Sequence, residues 1–275
     1  MSYLSDKLGE LIFNPNPVRA LATKVCRKFK IGSYERRLKL GAVEKPWYGY
    51  MVYHAACLAK KLQHKRISVL EFGVAGGNGL LNLEAHAQEI TKLLDVEIDI
   101  YGFDTGKGLP EPTDFRDLPY HWRGGFYEMD EIKLKRKLSS AQLVLGDIKE
   151  TAKGFFEAHH PAPIGAVAYD FDYYSSTVHA LKMLEADDQF FLPRVFSYFD
   201  DIIGSEIELY NDNTGERLAI NEFNDTHPDV KICPAYHLLG QQPAESWHPK
   251  IWISHFYRHP RYNDFVSLEN QQSPC

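Results

Sequence analysis

The 275-residue chain is 44% hydrophobic and 25% charged, ordinary globular stock with enough apolar residues for a sizeable core. A formal net charge of -6 argues against general attraction to nucleic acid or an anionic membrane, and no apolar run approaches the ~20 residues that span a bilayer. The start, "MSYLSDKLGELIF", carries acids and no long apolar region, and the four cysteines form no C-x-x-C pair, so reduced thiols and a cytoplasmic location are expected.

Residues 1–45 read as helices forming a cap on the main domain, with Pro15 and Pro17 breaking the pattern and a basic stretch, "KVCRKFK", that is best read as a solvated helix face. "PWYGYMVYHAACLAKKLQ" is a helix opened by Pro46. "ISVLEFGV" (67–74) is a short apolar run ending in glycines, hence a buried strand, followed by a helix over "NGLLNLEAHAQEITKLL". "EIDIYGFD" (97–104) is the second strand, and the Pro/Gly-punctuated segment after it is long enough to be a functional loop. A helix over "DEIKLKRKLSS", a strand at 141–147, a helix over "KETAKGFFEAHH" and a strand at 165–172 follow. "STVHALKMLEADDQFF" reads as a helix and 194–201 as the fifth strand, before a less regular last third with a helix at "RLAINEFNDTH" and a strand at "KIWISHFYRH". The expected division is a cap at 1–45, one α/β domain at 46–258 and a tail at 259–275.

Strand and helix alternate at least four times, which predicts a doubly wound, mostly parallel α/β sheet with an N-terminal helical cap. Ligands of such sheets bind beyond the carboxyl ends of the strands. Those ends carry Glu71 with its glycines, Asp104, Asp147, Asp170 with Asp172, and Asp200 with Asp201.

"LEFGVAGGNG" sets Glu71, Gly73, Ala75 and Gly77 in the pattern E-x-G-x-A-x-G, small residues that let a strand turn sharply into a helix close to a ligand. The pattern resembles the first motif of class I S-adenosylmethionine (SAM) methyltransferases, with Ala75 in place of the middle glycine. The NAD fingerprint G-x-G-x-x-G fits less well, although an NAD-dependent oxidoreductase shares the same loop position. Asp104 is placed for the ribose hydroxyls of a nucleoside, and Asp147 either for the adenine or as a helix cap.

Two apolar runs thus end on two carboxylates each. A divalent cation would compensate Asp170, Asp200 and Asp201 together, and hard oxygen ligands favour Mg²⁺. Asp172 would serve as general base toward a substrate hydroxyl. The plainer alternatives are acids that cap helices or face solvent, and a methyltransferase that uses no metal.

"FDTGKGLPEP", "YDFDYYSST", "YFDDIIG" and "GERLAINEFN" together resemble the macrocin O-methyltransferase (TylF-type) family over about residues 67–225. The resemblance implies a Mg²⁺-dependent SAM O-methyltransferase acting on a sugar-like hydroxyl of a small natural product. It implies Asp170, Asp200 and Asp201 as metal ligands, Asp172 as base, and Glu71, Gly73, Asp104 and Asp147 around the cofactor. In such enzymes an extra N-terminal helical segment often contributes to pairing, so a homo-oligomer is compatible with the resemblance, which leaves the oligomeric state open. "TGKG" after Asp104 and "SEIELYNDNT" after Asp201 depart from the family pattern and would alter the walls of the acceptor pocket, whereas the departure before "RVFSYFDD" bears only on a turn. Tyr120, His121, Trp122 and Phe126 either form a lid over the acceptor or pack their loop onto the sheet.

Overall fold

The computed structural model describes residues 17–267; 1–16 of the expected cap and 268–275 of the expected tail lie outside the described residues. Three helices come first: α1 (Pro17–Lys28), α2 (Tyr34–Lys39) and α3 (Pro46–Lys61). Ser33 accepts from the N–H of Arg36 and so caps α2. Pro46 opens α3 at a position where a missing N–H costs nothing.

The alternation that follows is β1 (Arg66–Phe72), α4 (Asn78–Leu94), β2 (Glu97–Asp104), α5 (Glu131–Lys135), β3 (Gln142–Leu145), α6 (Ile148–His159), β4 (Ile164–Tyr169), α7 (Tyr174–Leu181) and β5 (Phe191–Phe199). Then come α8 (Gly215–Thr226), β6 (Val230–Pro234), α9 (Tyr236–Leu239) and β7 (Ile251–Phe256). The seven strands lie in the order β3-β2-β1-β4-β5-β7-β6. β1 to β5 are parallel, while β7 runs antiparallel to both β5 and β6. The expected doubly wound sheet is therefore present, with its order reversing between β1 and β4. A ligand crevice belongs outside that reversal.

The helices cover both faces, as a parallel sheet requires. On one face Tyr48 and Met51 of α3 and Leu80 and Leu83 of α4 pack with Val69, Ala166 and Ala168. On the other, Phe155 of α6, Leu181 of α7 and Ile220 and Phe223 of α8 pack with Leu70, Phe72, Val167 and Phe199. Successive strand residues alternate between these cores. Glu71 therefore shares the α3–α4 face with Ile67 and Val69.

Several boundaries differ from expectation for identifiable reasons. β4 stops at Tyr169 and β5 at Phe199, so the paired acids stand just past the strand ends, not within them. β5 begins at Phe191 instead of 194, before Pro193; the β4–β5 register shifts between Ile164 and Ala166 alongside it, as a strand residue with no N–H to donate would require. The helix expected over 130–140 shrinks to the five residues of α5; the N–H groups of 136–138 still bond back to Ile132 and Leu134, and Glu84 of α4 takes those that follow out of helical pairing. Its carboxylate accepts from the N–H groups of Ser139, Ser140 and Ala141 at 2.9, 2.6 and 2.7 Å and from the Ser139 hydroxyl at 3.0 Å. β6 was not foreseen, since its five residues end on proline and have no period of their own.

Burial alone would push the Glu84 carboxyl up, but the three N–H groups outweigh it and hold the carboxyl below its usual range. A depressed carboxyl contributes stability above its unfolded value of about 4.3, and that contribution is lost as the pH falls through the lower folded value. Glu84→Gln turns an NH₂ toward these donors and is expected to cost about 1–3 kcal/mol at pH 7. Urea melts of both proteins should show the gap narrowing below about pH 4; a gap independent of pH would contradict the ionised clamp.

Candidate active site

The turn from β1 into α4 is built around Gly73 and Gly77, whose φ angles of +81° few other residues tolerate. A Cβ on Gly73 would lie 1.8 Å from the carbonyl oxygen of Asp170. This glycine thus lets the end of β4 pass directly over the turn, and it places Asp170 there. A Cβ on Gly77 would strike Leu134 of α5 at 2.1 Å. Ala75 keeps a left-handed φ of 47° although it carries a side chain. Both its N–H and that of Val74 donate to Asp104 Oδ2, at 2.8 and 2.9 Å, while Asp104 Oδ1 accepts from Gly106 at 2.7 Å. Asp104 thus joins the ends of β1 and β2 into one ledge.

The other two residues expected at the cofactor are placed differently. Glu71 is buried beneath the turn, 1% exposed, and its Oε1 accepts from the Tyr48 hydroxyl at 2.7 Å while its Oε2 has no partner. It therefore stands below the rim and not on it. Burial pushes its carboxyl up to about 7, against the pull of Tyr48 and the Lys45 charge. Asp147 is exposed and caps α6, accepting from the Lys149 N–H at 2.8 Å.

Beyond β4 and β5 the acids converge. One oxygen each of Asp170, Asp200 and Asp201 lie within 4.8 Å of one another, a set that could hold a metal ion. Asp201 is buried and its two oxygens accept from the Tyr210 hydroxyl at 2.7 Å and the Asp172 N–H at 2.9 Å. Asp200 meets the Tyr198 hydroxyl and the Lys250 ammonium, the latter at 3.0 Å. Among the described residues no donor meets the carboxylates of Asp170 and Asp172. Asp172 itself is 7% exposed and held at a φ of 63°, a left-handed conformation that costs on the order of 1–3 kcal/mol at a non-glycine residue.

Crowding these charges is electrostatically costly. Burial and then Asp200 and Asp201 push the Asp170 carboxyl well above its usual range. Burial and then Asp201, Asp170 and Asp200 push Asp172 up to about 10, and burial with Asp200 pushes Asp201 up to about 6. Glu216, in the first turn of α8, is a further acid that the motifs did not bring out. It is fully buried, its Oε2 accepts from the Asp201 N–H at 2.9 Å, and its Oε1 has no partner. Burial and the Asp201 charge raise it strongly. Nothing in "GERLAINEF" marks Glu216 as buried, because an acid in a first helical turn is ordinarily exposed. Tyr198 did carry a signal, since its spacing of two from Asp200 puts both on one side of an extended chain.

Two loops wall the crevice. The segment after β2 has its own small core, Leu118 and Trp122 with Tyr173 of the β4–α7 turn, joined by Leu109 and by Tyr210 from the loop after β5. Fully buried Asp117 pins it by accepting from Thr113 and from the N–H and hydroxyl of Ser175, at 2.8 and 3.0 Å. Trp122 therefore packs the loop down, while Tyr120 and Phe126 stay exposed. The Tyr120 hydroxyl donates to the Glu208 carbonyl at 2.7 Å and bridges the two loops. Tyr127 faces the acids, whose charges, after burial, raise its phenol.

No protein-family model matches this chain, and no curated protein matches it in sequence. Among solved structures it is similar to the calicheamicin methyltransferase CalS11, with 17% identity over 88% of this chain and 93% of that one and a TM-score of 0.52. It aligns more loosely, at a TM-score of 0.41 and 14% identity over 92% and 96% of the two chains, with the O-methyltransferase TomG from Streptomyces achromogenes. With the strand order and the glycine turn, the first of these likenesses gives the chain the Rossmann-like fold of class I methyltransferases.

Proposed function

We propose that this protein transfers a methyl group from SAM to a hydroxyl of a small molecule, assisted by a divalent cation such as Mg²⁺. The observation that carries this reading is the convergence of Asp170, Asp200 and Asp201 just beyond the ends of the neighbouring strands β4 and β5, the first of which passes over the glycine turn. Their donor set suits the cation: carboxylate oxygens only, close together, with that of Asp170 meeting no donor among the described residues. Such a cation supplies Lewis acidity toward an acceptor hydroxyl. It would also offset the acidic charges of Asp201, Asp170 and Asp200, which add to burial in pushing the Asp172 carboxyl up.

The chain's own residues would do the rest. Asp104 and the N–H groups it orients shape the ledge for the adenosine end, and Asp147 stands at the far side of that ledge. Asp172 would accept the acceptor's hydroxyl proton on its free carboxylate as the oxygen attacks the sulfonium methyl carbon and S-adenosylhomocysteine (SAH) leaves. Tyr120, Phe126 and Tyr127 would line the acceptor side, and with the TylF-like motifs a sugar or polyol-like natural product is the acceptor class we favour. Nothing in the composition calls for a nucleic-acid or membrane partner. Self-association to which the N-terminal helices contribute, the domain division at 45 and 258, and a cytoplasmic setting belong to the same reading. No described helix is long and apolar enough to cross a membrane.

Lys250 favours a second reading, because its ammonium already partners Asp200 and could neutralise the cluster in a metal-independent methyltransferase. Calorimetry and chelation separate the possibilities. SAH should bind saturably and NADH should not, and turnover of an accepted substrate should vanish in EDTA and return with Mg²⁺. NADH binding without SAH would point to an oxidoreductase. Turnover that survives full chelation would leave the metal-independent enzyme.

A further inference from the structure

Lys45 stands immediately before α3, with φ 38° and ψ 65°, a left-handed conformation that a non-glycine residue adopts only where its surroundings impose it. Its Nζ lies 4.9 Å from the ring centroid of Tyr48 and 5.8 Å from that of Trp47. Tyr48 is pinned from below by Glu71, and Trp47 stacks on Tyr198, whose hydroxyl meets Asp200. The ammonium is therefore held over two rings that are tied to Glu71 of β1 on one side and, through Tyr198, to Asp200 on the other. Its charge reaches both Glu71 and Asp170, yet among the described residues it forms no ion pair. α3 also opens without a side-chain cap on its N-terminal N–H groups, which carry the positive end of the helix dipole. Half-buried cations seldom go without an anion.

The proposed donor has such an anion. With its adenosine on the β2–β3 side and its sulfonium turned toward the acids, its amino-acid arm has to leave the crevice on the α3 side. That arm is a zwitterion, and the same end of the crevice offers a cation in Lys45, with the unpartnered carboxylate oxygen of Glu71 buried beneath it. We infer that Lys45, with the N-terminus of α3, receives the α-carboxylate of the methyl donor, as a positioning residue that fixes the direction of the sulfonium. The inference rests on the reading of the protein as a SAM enzyme.

The test compares SAH with 5′-methylthioadenosine, which keeps the adenosine and sulfur but lacks the amino-acid arm. By calorimetry the wild-type protein should prefer SAH, and Lys45→Met should weaken SAH about 10- to 100-fold, the worth of one charge-assisted hydrogen bond, without changing affinity for the shorter compound. Lys45→Arg should restore the preference, and Lys45→Gln serves if the methionine variant does not fold. A variant that keeps the SAH preference overturns the assignment. So does one that loses both ligands equally, because Lys45 would then only support the turn or neutralise the acids. Wild-type protein that binds neither compound overturns the SAM reading itself, and the assignment with it.

Discussion

Asp170→Asn is expected to lower turnover by at least about 10²-fold, beyond what loss of a residue merely supporting a metal ligand costs, while SAH binding changes little. The asparagine keeps the shape of the side chain but offers one carbonyl oxygen where a carboxylate stood. Asp170 is the residue to change because its oxygens meet no donor among the described residues, whereas Asp200 and Asp201 are already engaged by Tyr198, Lys250, Tyr210 and the Asp172 N–H. A second outcome should accompany the first. Removing one of several crowded charges relieves repulsion, so the metal-free variant should melt at a higher temperature than the metal-free wild type. Adding Mg²⁺ should raise the wild-type melting temperature, by about 2.7 kcal/mol of stability at a hundredfold excess over its dissociation constant, and should barely move the variant. Equal responses of the two proteins to Mg²⁺ would remove Asp170 from the cation site.

Gly73→Ala should be among the most destabilising single changes in the molecule, at about 4 kcal/mol or more. Two costs combine. The residue's φ of +81° is unfavourable for alanine, and the new Cβ would sit 1.8 Å from one backbone atom of Asp170 and 2.8 Å from another. Neither is the end of a flexible side chain, so the β1–α4 turn and the end of β4 would have to separate. That separation would displace Asp170 and with it the acid cluster. Loss of soluble folded protein, or a large drop in the urea midpoint together with loss of the Mg²⁺ response, is the expected result. For Gly77→Ala the nearest atoms belong to the Leu134 side chain and not to backbone, so it should be milder in space, though its φ carries the same backbone penalty. A Gly73→Ala protein as stable as the wild type would mean that the turn does not touch β4 in solution.

Gly73 also illustrates how far local pattern reaches. Its place in E-x-G-x-A-x-G pointed to a ligand approaching the backbone, and the turn is where that pattern put it. The nearest neighbour is nonetheless Asp170, 97 residues further along the chain. Asp104 is similar: its position at the end of β2 was legible, but its oxygens are first engaged by the N–H groups of Val74, Ala75 and Gly106. Glu71 was read as a rim residue, and period-two alternation alone would have placed it on the α3–α4 face had the covering helix been known.

The sequence by itself determined the alternating α/β architecture, the glycine turn and the acids at the strand ends, because each is written in residues within a few positions of one another. Apolar runs of strand length, small residues at a sharp turn and carboxylates after a hydrophobic stretch are local facts that the backbone periods of 2.0 and 3.6 translate directly. Only the tertiary structure decided which strands became neighbours. Placing β4 beside β5 brought Asp170 within reach of Asp200 and Asp201, packing α8 under that edge buried Glu216 behind Asp201, and the antiparallel return of β7 brought Lys250 to Asp200. Tyr210, Tyr48 and Lys45 entered the site in the same way. Their spacing along the chain carries no trace of these contacts, because strand order is set by the burial of two whole sheet faces and not by any one segment.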